Sequence, residues 1–365
     1  MLESIMTYGL SSLLAMLLVV SILPFSYSQH YLIRSCDFVR LQVVYLACGS
    51  LIASSYLISR TGSMLYIGCA LASILVLLLQ VGWIYPYTRI ANKEVASSNK
   101  SDKHSIRIMS ANVLMSNTEY DKLIGLVKTH QPDLLITLES DQTWQNELSS
   151  LEQEYPYRVY CPKDNRYGMH LYSKFKIKQQ KVCELIESDI PSIHILFEDA
   201  DGVEVQGHFI HPAPPSPTEE DSSRPRDTEL IILAKALKNR QRPCIVAGDL
   251  NDVAWSRSTR LFMRISGLLD PRKGRGFFNT FHASYFFMRW PLDHLFHSNE
   301  FSVKRIERLA KYGSDHFALL TELVYNPDSD NQKQQEQIDK EKAVDELKIP
   351  SASKQQVPMF NTNPQ

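Results

Sequence analysis

Three long runs without a charged side chain open this sequence, and they constrain it more than anything that follows. They cover residues 8–24 (YGLSSLLAMLLVVSILP), 41–58 (LQVVYLACGSLIASSYLI) and 64–85 (MLYIGCALASILVLLLQVGWIY). Each approaches the roughly 20 apolar residues that a helix needs to cross a bilayer. Inside lipid the backbone must satisfy its own hydrogen bonds, so such runs are committed to helix. Trp83, Tyr85 and Tyr87 close the third run with rings suited to a membrane–water interface. A cleaved signal peptide would start with basic residues, whereas Glu3 is the only charge ahead of the first run. Residues 1–90 are therefore expected to form a three-helix transmembrane anchor, multi-pass in a cell (inner) membrane.

Charge flanking the runs bears on orientation. Arg34 and Arg40 lie between the first two, only Arg60 between the second and third, and Arg89, Lys93, Lys100 and Lys103 after the third. The positive-inside rule then favours an outside amino terminus and a cytoplasmic remainder, although large domains translocate against such a bias.

Beyond the anchor the texture changes. Residues 91–104 (ANKEVASSNKSDKH) read as a polar linker. From 105 short apolar strands alternate with a few amphipathic stretches. Strands are expected at 106–113, 133–138, 168–173, 178–185, 192–198, 203–210, 244–247, 292–297, 301–308 and 317–325. Tyr120, Leu123, Ile124 and Val127 have helical spacing, as do Leu230, Leu233, Ala234 and Leu237. Many strands with few helices indicate a two-sheet α/β sandwich rather than a doubly wound sheet. From Asn326 to Gln365 the chain is polar and expected to be a disordered tail, with 332–347 able to form a transient helix. The six cysteines show no C-x-x-C pair, which argues against a disulfide framework or a cysteine zinc site. A formal net charge of −1 excludes a strongly polyanion-seeking chain but not a local basic patch.

Strand ends carry the chemistry. Six of them finish in carboxylate, amide or imidazole side chains: MSAN (Asn112), ITLES (Glu139), FIHP (His211), VAGDLND (Asp249, Asn251), PLDH (Asp293, His294) and GSDH (Asp315, His316). One such ending is unremarkable; six imply strand ends that converge on a polar site. Carboxylate and amide oxygens suit a hard cation such as Mg²⁺ or Mn²⁺. No Walker loop or dinucleotide glycine motif is present.

The order N, E, G-D-x-N, D-H, S-D-H resembles that of the endonuclease/exonuclease/phosphatase (DNase I-like) family, with GDLND and GSDH the most diagnostic pieces. The resemblance covers residues 105–325, and three preceding spans are similar to those of bacterial membrane-anchored members. It implies a four-layered two-sheet α/β sandwich preceded by three transmembrane helices. It also implies a metal-dependent phosphoric ester hydrolase in which water attacks phosphorus in line. Glu139 would be the principal metal ligand, Asn112 would support the metal or a phosphate oxygen, and Asp315 would reach the metal. Asp249 would hold the attacking water and Asn251 a phosphoryl oxygen. His316 would act as general base or as donor to the phosphoryl oxygen, with Asp293 accepting its other ring N–H. His211 would contact the phosphate or protonate the leaving oxygen. The family often has an acid two residues after the asparagine; Leu114 stands there, which puts a second metal in doubt. His294, His208 and His170 read as packing residues.

The substrate is less legible. Arg257, Arg260, Arg264, Arg272, Lys273 and Arg275 follow GDLND with Asp270 as the only acid among them. Such a segment suits a nucleic-acid backbone, anionic headgroups, or merely a solvated helix face. Tyr285, Phe286, Phe287 and Trp290 suit packing or stacking on a base. A nucleic-acid phosphodiester is the leading expectation. The alternatives are a lipid headgroup or small phosphate ester, and an inert membrane scaffold that keeps the fold.

Overall fold

The computed structural model describes residues 2–98, 105–216, 221–328, 331 and 357–360. The transient helix expected at 332–347, most of the expected tail and residues 99–104 of the expected linker lie outside them. The chain divides into two compact units, residues 1–91 with 215–223, and residues 92–214 with 224–365.

The first unit is helical, with α1 (Leu2–Ile22), α2 (Tyr31–Phe38), α3 (Arg40–Thr61) and α4 (Met64–Ile84). Three stretches, Met6–Phe25, Arg40–Thr61 and Met64–Tyr87, are long and apolar enough to cross a membrane, with mean hydropathies of 2.0, 1.7 and 2.3. Gly62, at φ +62°, ends α3 in a left-handed cap, and Ser63 caps α4 by accepting from Leu65 N. That two-residue turn makes α3 and α4 antiparallel neighbours. Leu14, Leu17, Val43, Ala47 and Val76 fill the seam between helices, while Met16, Val19, Ile52, Leu71 and Leu78 face outward. The short helix α2 was not expected. Residues 215–223 belong to this unit although they fall within the expected catalytic region; Tyr31 N donates to Asp221 O and Ser223 N to Gln29 O, at 3.0 and 2.8 Å.

The second unit contains two mixed sheets. One has the order β10 (Phe301–Arg308), β11 (Leu319–Tyr325), β1 (Ser105–Asn112), β2 (Leu134–Leu138), β4 (Met169–Ser173), β3 (Tyr157–Cys161). The other runs β5 (Lys176–Cys183), β6 (Ser192–Glu198), β7 (Glu204–Phe209), β8 (Cys244–Asp249), β9 (Asp293–His297). Strand alternation builds the layers. Ile106 and Ile108 of β1 point into a core shared with Ile193, Ile195, Phe209, Ile245 and Leu295 of the other sheet. Met109 and Ala111 of the same strand point the other way, onto Leu123 and Val127 of α5 (Tyr120–His130) and Trp144 of α6 (Gln142–Glu147). Val246 and Phe296 likewise pack on Leu230, Leu233 and Leu237 of α7 (Arg224–Leu237) and Phe262 of α8 (Arg257–Ser266). The result is the expected four-layered DNase I-like sandwich.

Three expectations shift. Strand β3 was not anticipated, and of the readings open for the basic segment the helix face is realised, as α8. Residues 92–98, read as the start of a free linker, pack on the second unit: Val95 is buried in the inter-sheet core, Val303 N donates to Ala96 O, and Lys273 pairs with Glu94 at 2.7 Å. Of the expected tail, Val357 and Phe360 are buried, and Phe360 O accepts from Arg242 and Gln206.

Candidate active site

Each sheet has one parallel pair, β1–β2 and β7–β8. Parallel strands end at the same edge, and in α/β sheets ligand sites form at such carboxyl ends. Asn112 ends β1, Glu139 follows β2, His211 follows β7 and Asp249 ends β8. The remaining residues reach this edge by antiparallel pairing. Asp293 starts β9 directly opposite Asp249, and Asp315 and His316 precede β11, whose Leu319 pairs with Ser110.

The side chains form a continuous chain of contacts. Asn112 Nδ2 donates to Glu139 Oε1 at 2.8 Å and to Asp249 Oδ2 at 3.1 Å. Asp249 Oδ2 lies 3.4 Å from His316 Nε2 and 4.0 Å from His211 Nε2. His316 Nδ1 lies 2.8 Å from Asp293 Oδ2. Asn251 N donates to Asp249 Oδ1 at 2.9 Å, while its amide is spent on Pro212 O at 3.0 Å. Asp315 is half-buried beside Ser314, whose hydroxyl donates to Asn112 O at 2.7 Å. All eight expected side chains thus stand at one edge. Asn251 is the one whose side chain is committed to backbone.

The backbone is shaped for this. Glu139 (φ +57°), Leu114 (φ +57°) and Asn251 (φ +49°) sit in the left-handed region that costs a non-glycine residue energy. Gly248 has φ +147°, and a Cβ there would lie 1.9 Å from Ile210 O. Only glycine lets the strand before His211 approach Asp249 so closely.

Electrostatics separates the two carboxylates that flank His316. Burial pushes Asp249 up, but the neighbouring His316 and His211 overcome it and hold the carboxyl below its usual range. Burial raises Asp293, and the charge on Asp249 adds to that rise beyond what His316 offsets. Burial disfavours the His316 cation, yet Asp293 and Asp249 outweigh it and raise the imidazole to about 10. Burial also raises Glu139, against the pull of His211 and Asn112.

Do these groups fit a divalent cation? Asp249, Asp293 and His316 each bring a ligand atom within 4.8 Å of the others. His316, however, is already hydrogen-bonded to Asp293. The better-fitting donors are the oxygens of Glu139 and Asp249, which share one amide hydrogen-bond donor in Asn112. Burial disfavours the charged form of Glu139, a cost that a hard cation bound to its oxygens would offset. The residues fit the group.

His294, His208 and His170 are internal. His294 sits between Arg272 at 2.7 Å and Asp252 O at 2.9 Å, and burial followed by the Arg272 charge lowers it to about 3. His208 Nδ1 meets His194 Nδ1 at 2.8 Å in the sheet interior, and His170 Nε2 lies 3.3 Å from Asp141 O. The basic segment is partly internal too. Arg272 is buried, pairs with Asp270 at 2.7 Å and donates to Asp293 O at 3.2 Å; Arg275 donates to Val95 O.

Four residues around the site were not anticipated. Tyr312 Oη donates to Asn112 O at 2.5 Å, and Thr280 Oγ1 accepts from Asp293 N at 3.2 Å. The Phe281 ring lies 4.9 Å from that of His316. Arg226 donates to Asn251 O at 2.8 Å and lies 3.3 Å from Asp252. Tyr312 stands directly before GSDH, and that adjacency is the one signal the sequence held for it.

Residues 109–316 match the model of the Endonuclease/Exonuclease/phosphatase family, more than half of the chain. Among solved structures, the chain is similar to the D. rerio TDP2 complexed with single strand DNA product (15% identity, TM-score 0.51, covering 60% of this chain and 98% of that one). It is similar to an endonuclease/exonuclease/phosphatase family protein from Bacteroides thetaiotaomicron (20%, TM-score 0.51, 61% and 98%). It is also similar to the human Nocturnin catalytic domain with bound sulfate anion (19%, TM-score 0.50, 63% and 100%). No curated protein sequence matches it. By the family match, its GDLND and GSDH strand ends and its two-sheet fold, this chain belongs to the endonuclease/exonuclease/phosphatase family and is a phosphoesterase hydrolase.

Proposed function

We propose that this protein is a membrane-anchored, divalent-metal-dependent phosphodiesterase that hydrolyses nucleic acid. The observation that carries the reading is the contact chain Glu139–Asn112–Asp249–His316–Asp293 at one strand edge. The proposed organisation is an anchor over 1–90, a polar segment over 91–104 whose first residues pack on the domain that follows, a catalytic domain over 105–325 and a polar tail over 326–365 in which Val357 and Phe360 are buried. The catalytic domain is proposed to face the cytoplasm of a cell whose inner membrane holds the anchor, on the charge pattern of the loops. The apolar outward faces of the three candidate spans support insertion.

In this reading Glu139, with Asn112, Asp249 and Asp315 around it, would hold Mg²⁺ or Mn²⁺. The ion would supply charge neutralisation at the phosphoryl oxygens. Asp249, kept ionised beside His316 and His211, orients the attacking water and takes its proton. His316, kept cationic by two carboxylates, donates from Nε2 to a phosphoryl oxygen. Asp293 fixes the imidazole by accepting from Nδ1. His211 gives the leaving oxygen its proton, and Asn251, held by Pro212, stands by for a phosphoryl oxygen. The likeness to a fold crystallised with a single strand DNA product supports the substrate class.

A second reading, hydrolysis of a lipid headgroup or small phosphate ester, draws on the three candidate spans, which would tether the chain to a bilayer that carries anionic headgroups. The test is hydrolysis by the full chain in detergent micelles, offered single-stranded DNA, RNA and a phospholipid panel with Mg²⁺. EDTA and His316→Ala are the controls. Nucleic-acid cleavage lost in both controls is expected; cleavage of lipid alone would transfer the site to the second reading.

A further inference from the structure

Beside His316 stands a hairpin whose chemistry the reaction above does not use. Its base is pinned to the site. Phe281 N and Thr280 N donate to Trp290 O, Phe317 N donates to Thr280 O at 2.9 Å, and Ala283 N donates to Asp315 O at 2.6 Å. Its tip is bare: Tyr285, Phe286, Phe287 and Met288 are 52%, 79%, 58% and 42% exposed.

Two guanidinium groups lie at its root. Arg289 and Arg308 both stand over the ring of Phe317, the residue after His316, with Cζ at 5.2 and 4.4 Å from the centroid. Among the described residues each makes a single hydrogen bond, to Ala283 O and Asn279 O, and Arg289 Nε is buried without an acceptor. Among the described residues neither meets a carboxylate. Burial and the neighbouring Arg289 both weaken the hold of Arg308 on its proton, so the pair repel one another as the protein stands. Two half-buried like charges without a counter-ion are costly. An anion in reach of both would lower the cost, and guanidinium forks match phosphate oxygens.

We propose that Arg289 and Arg308 form a second phosphate subsite, which takes a flanking, uncleaved phosphate of a single-stranded nucleic acid, and that Tyr285–Phe287 stack on the bases beyond it. This rests on the phosphodiesterase reading above. Two separated anion-binding places suit a polymer with a phosphate at every residue. A phospholipid with a single phosphate would already spend it at the catalytic edge. Exposed aromatic faces next to a cationic groove are how sequence-tolerant single-strand sites are built.

The test uses the full chain in detergent micelles, with Arg289→Gln/Arg308→Gln and the charge-keeping Arg289→Lys/Arg308→Lys. Binding of a fluorescein-labelled DNA oligonucleotide is read by anisotropy in Ca²⁺, apart from turnover. Turnover is read separately on the oligonucleotide and on bis(4-nitrophenyl) phosphate, which has one phosphate. The glutamine variant should bind the oligonucleotide at least about tenfold more weakly, with a salt slope smaller by about 0.7, the loss of one single-strand phosphate contact. Its KM for the oligonucleotide should rise far more than that for the small diester, and lysine should restore part of the affinity. Unchanged oligonucleotide affinity in a folded glutamine variant overturns the proposal. So does an equal loss on both substrates, or a variant that loses adhesion to phosphatidylserine vesicles while keeping the oligonucleotide. A wild-type chain that binds the oligonucleotide through this pair but hydrolyses neither diester refutes the phosphodiesterase reading and leaves the subsite standing.

Discussion

His316 Nδ1 lies 2.8 Å from Asp293 Oδ2, and Asp293 is itself held by Thr280 and Arg272 through its backbone. One carboxylate therefore sets both the proton and the ring orientation of the imidazole that faces Asp249. Replacing it with an amide of the same shape isolates that role. Asp293→Asn should lower kcat on bis(4-nitrophenyl) phosphate by about 100-fold or more, with KM nearly unchanged. A loss of only a few-fold, in a variant that melts like the wild type, would remove Asp293 from the mechanism.

Metal binding should act through Glu139. Saturating Mn²⁺ should raise the melting temperature of the wild type, since a ligand at 100 times its Kd contributes about 2.7 kcal/mol to the folded state. Glu139→Gln should lose most of that rise, and EDTA should abolish hydrolysis by the wild type. Equal stabilisation of both proteins by Mn²⁺ would place the ion elsewhere.

Gly248→Ala should be severe for so small a change. The new methyl would stand 1.9 Å from Ile210 O at a φ of +147°. Either the strand after β7 moves away from Asp249 or the substitution costs at least about 2 kcal/mol. Urea denaturation of the two proteins measures it; a variant within experimental error of the wild type contradicts the packing described.

Stability should also depend on pH through Glu229 of α7, whose Oε1 meets no partner among the described residues. Burial, then the charge of Glu187, raises its carboxyl to about 8 from the ordinary value of 4.5. The folded protein thus holds a proton that the unfolded chain has released. The contribution to stability is full below about pH 4.5 and lost as the pH rises through about 8. Glu229→Gln should flatten this decline, so that the variant gains on the wild type from pH 5 to 9. A melting-temperature gap that stays constant across that range would show Glu229 to be ionised in the fold.

Much of the molecule was legible because it rests on local signals. Charge-free runs of span length can only be helices in lipid, and strand alternation marks inner from outer faces, as Ile108 and Met109 illustrate. Side chains at strand ends follow from the strands, so Asn112, Glu139, Asp249 and His316 could be named before any distance was known. Helix α8 was only one of the readings open for the basic segment, because its apolar residues, Leu261, Phe262, Met263 and Ile265, cluster within five positions and do not by themselves mark a helical period.

What the tertiary structure alone decided depends on residues far apart in the chain. The two parallel pairs align their carboxyl ends and bring Asp249 onto the side-chain amide of Asn112, 137 positions away. Arg272, a rim cation by its sequence neighbours, becomes a buried strut because Asp270 and His294 close around it. Arg289 and Arg308 converge on Phe317 only through the hairpin and strand that carry them. Periodicity and composition report which face of an element is buried. Which charges meet, and which are left for a ligand, is set by the pairing of distant strands, and no local pattern encodes that.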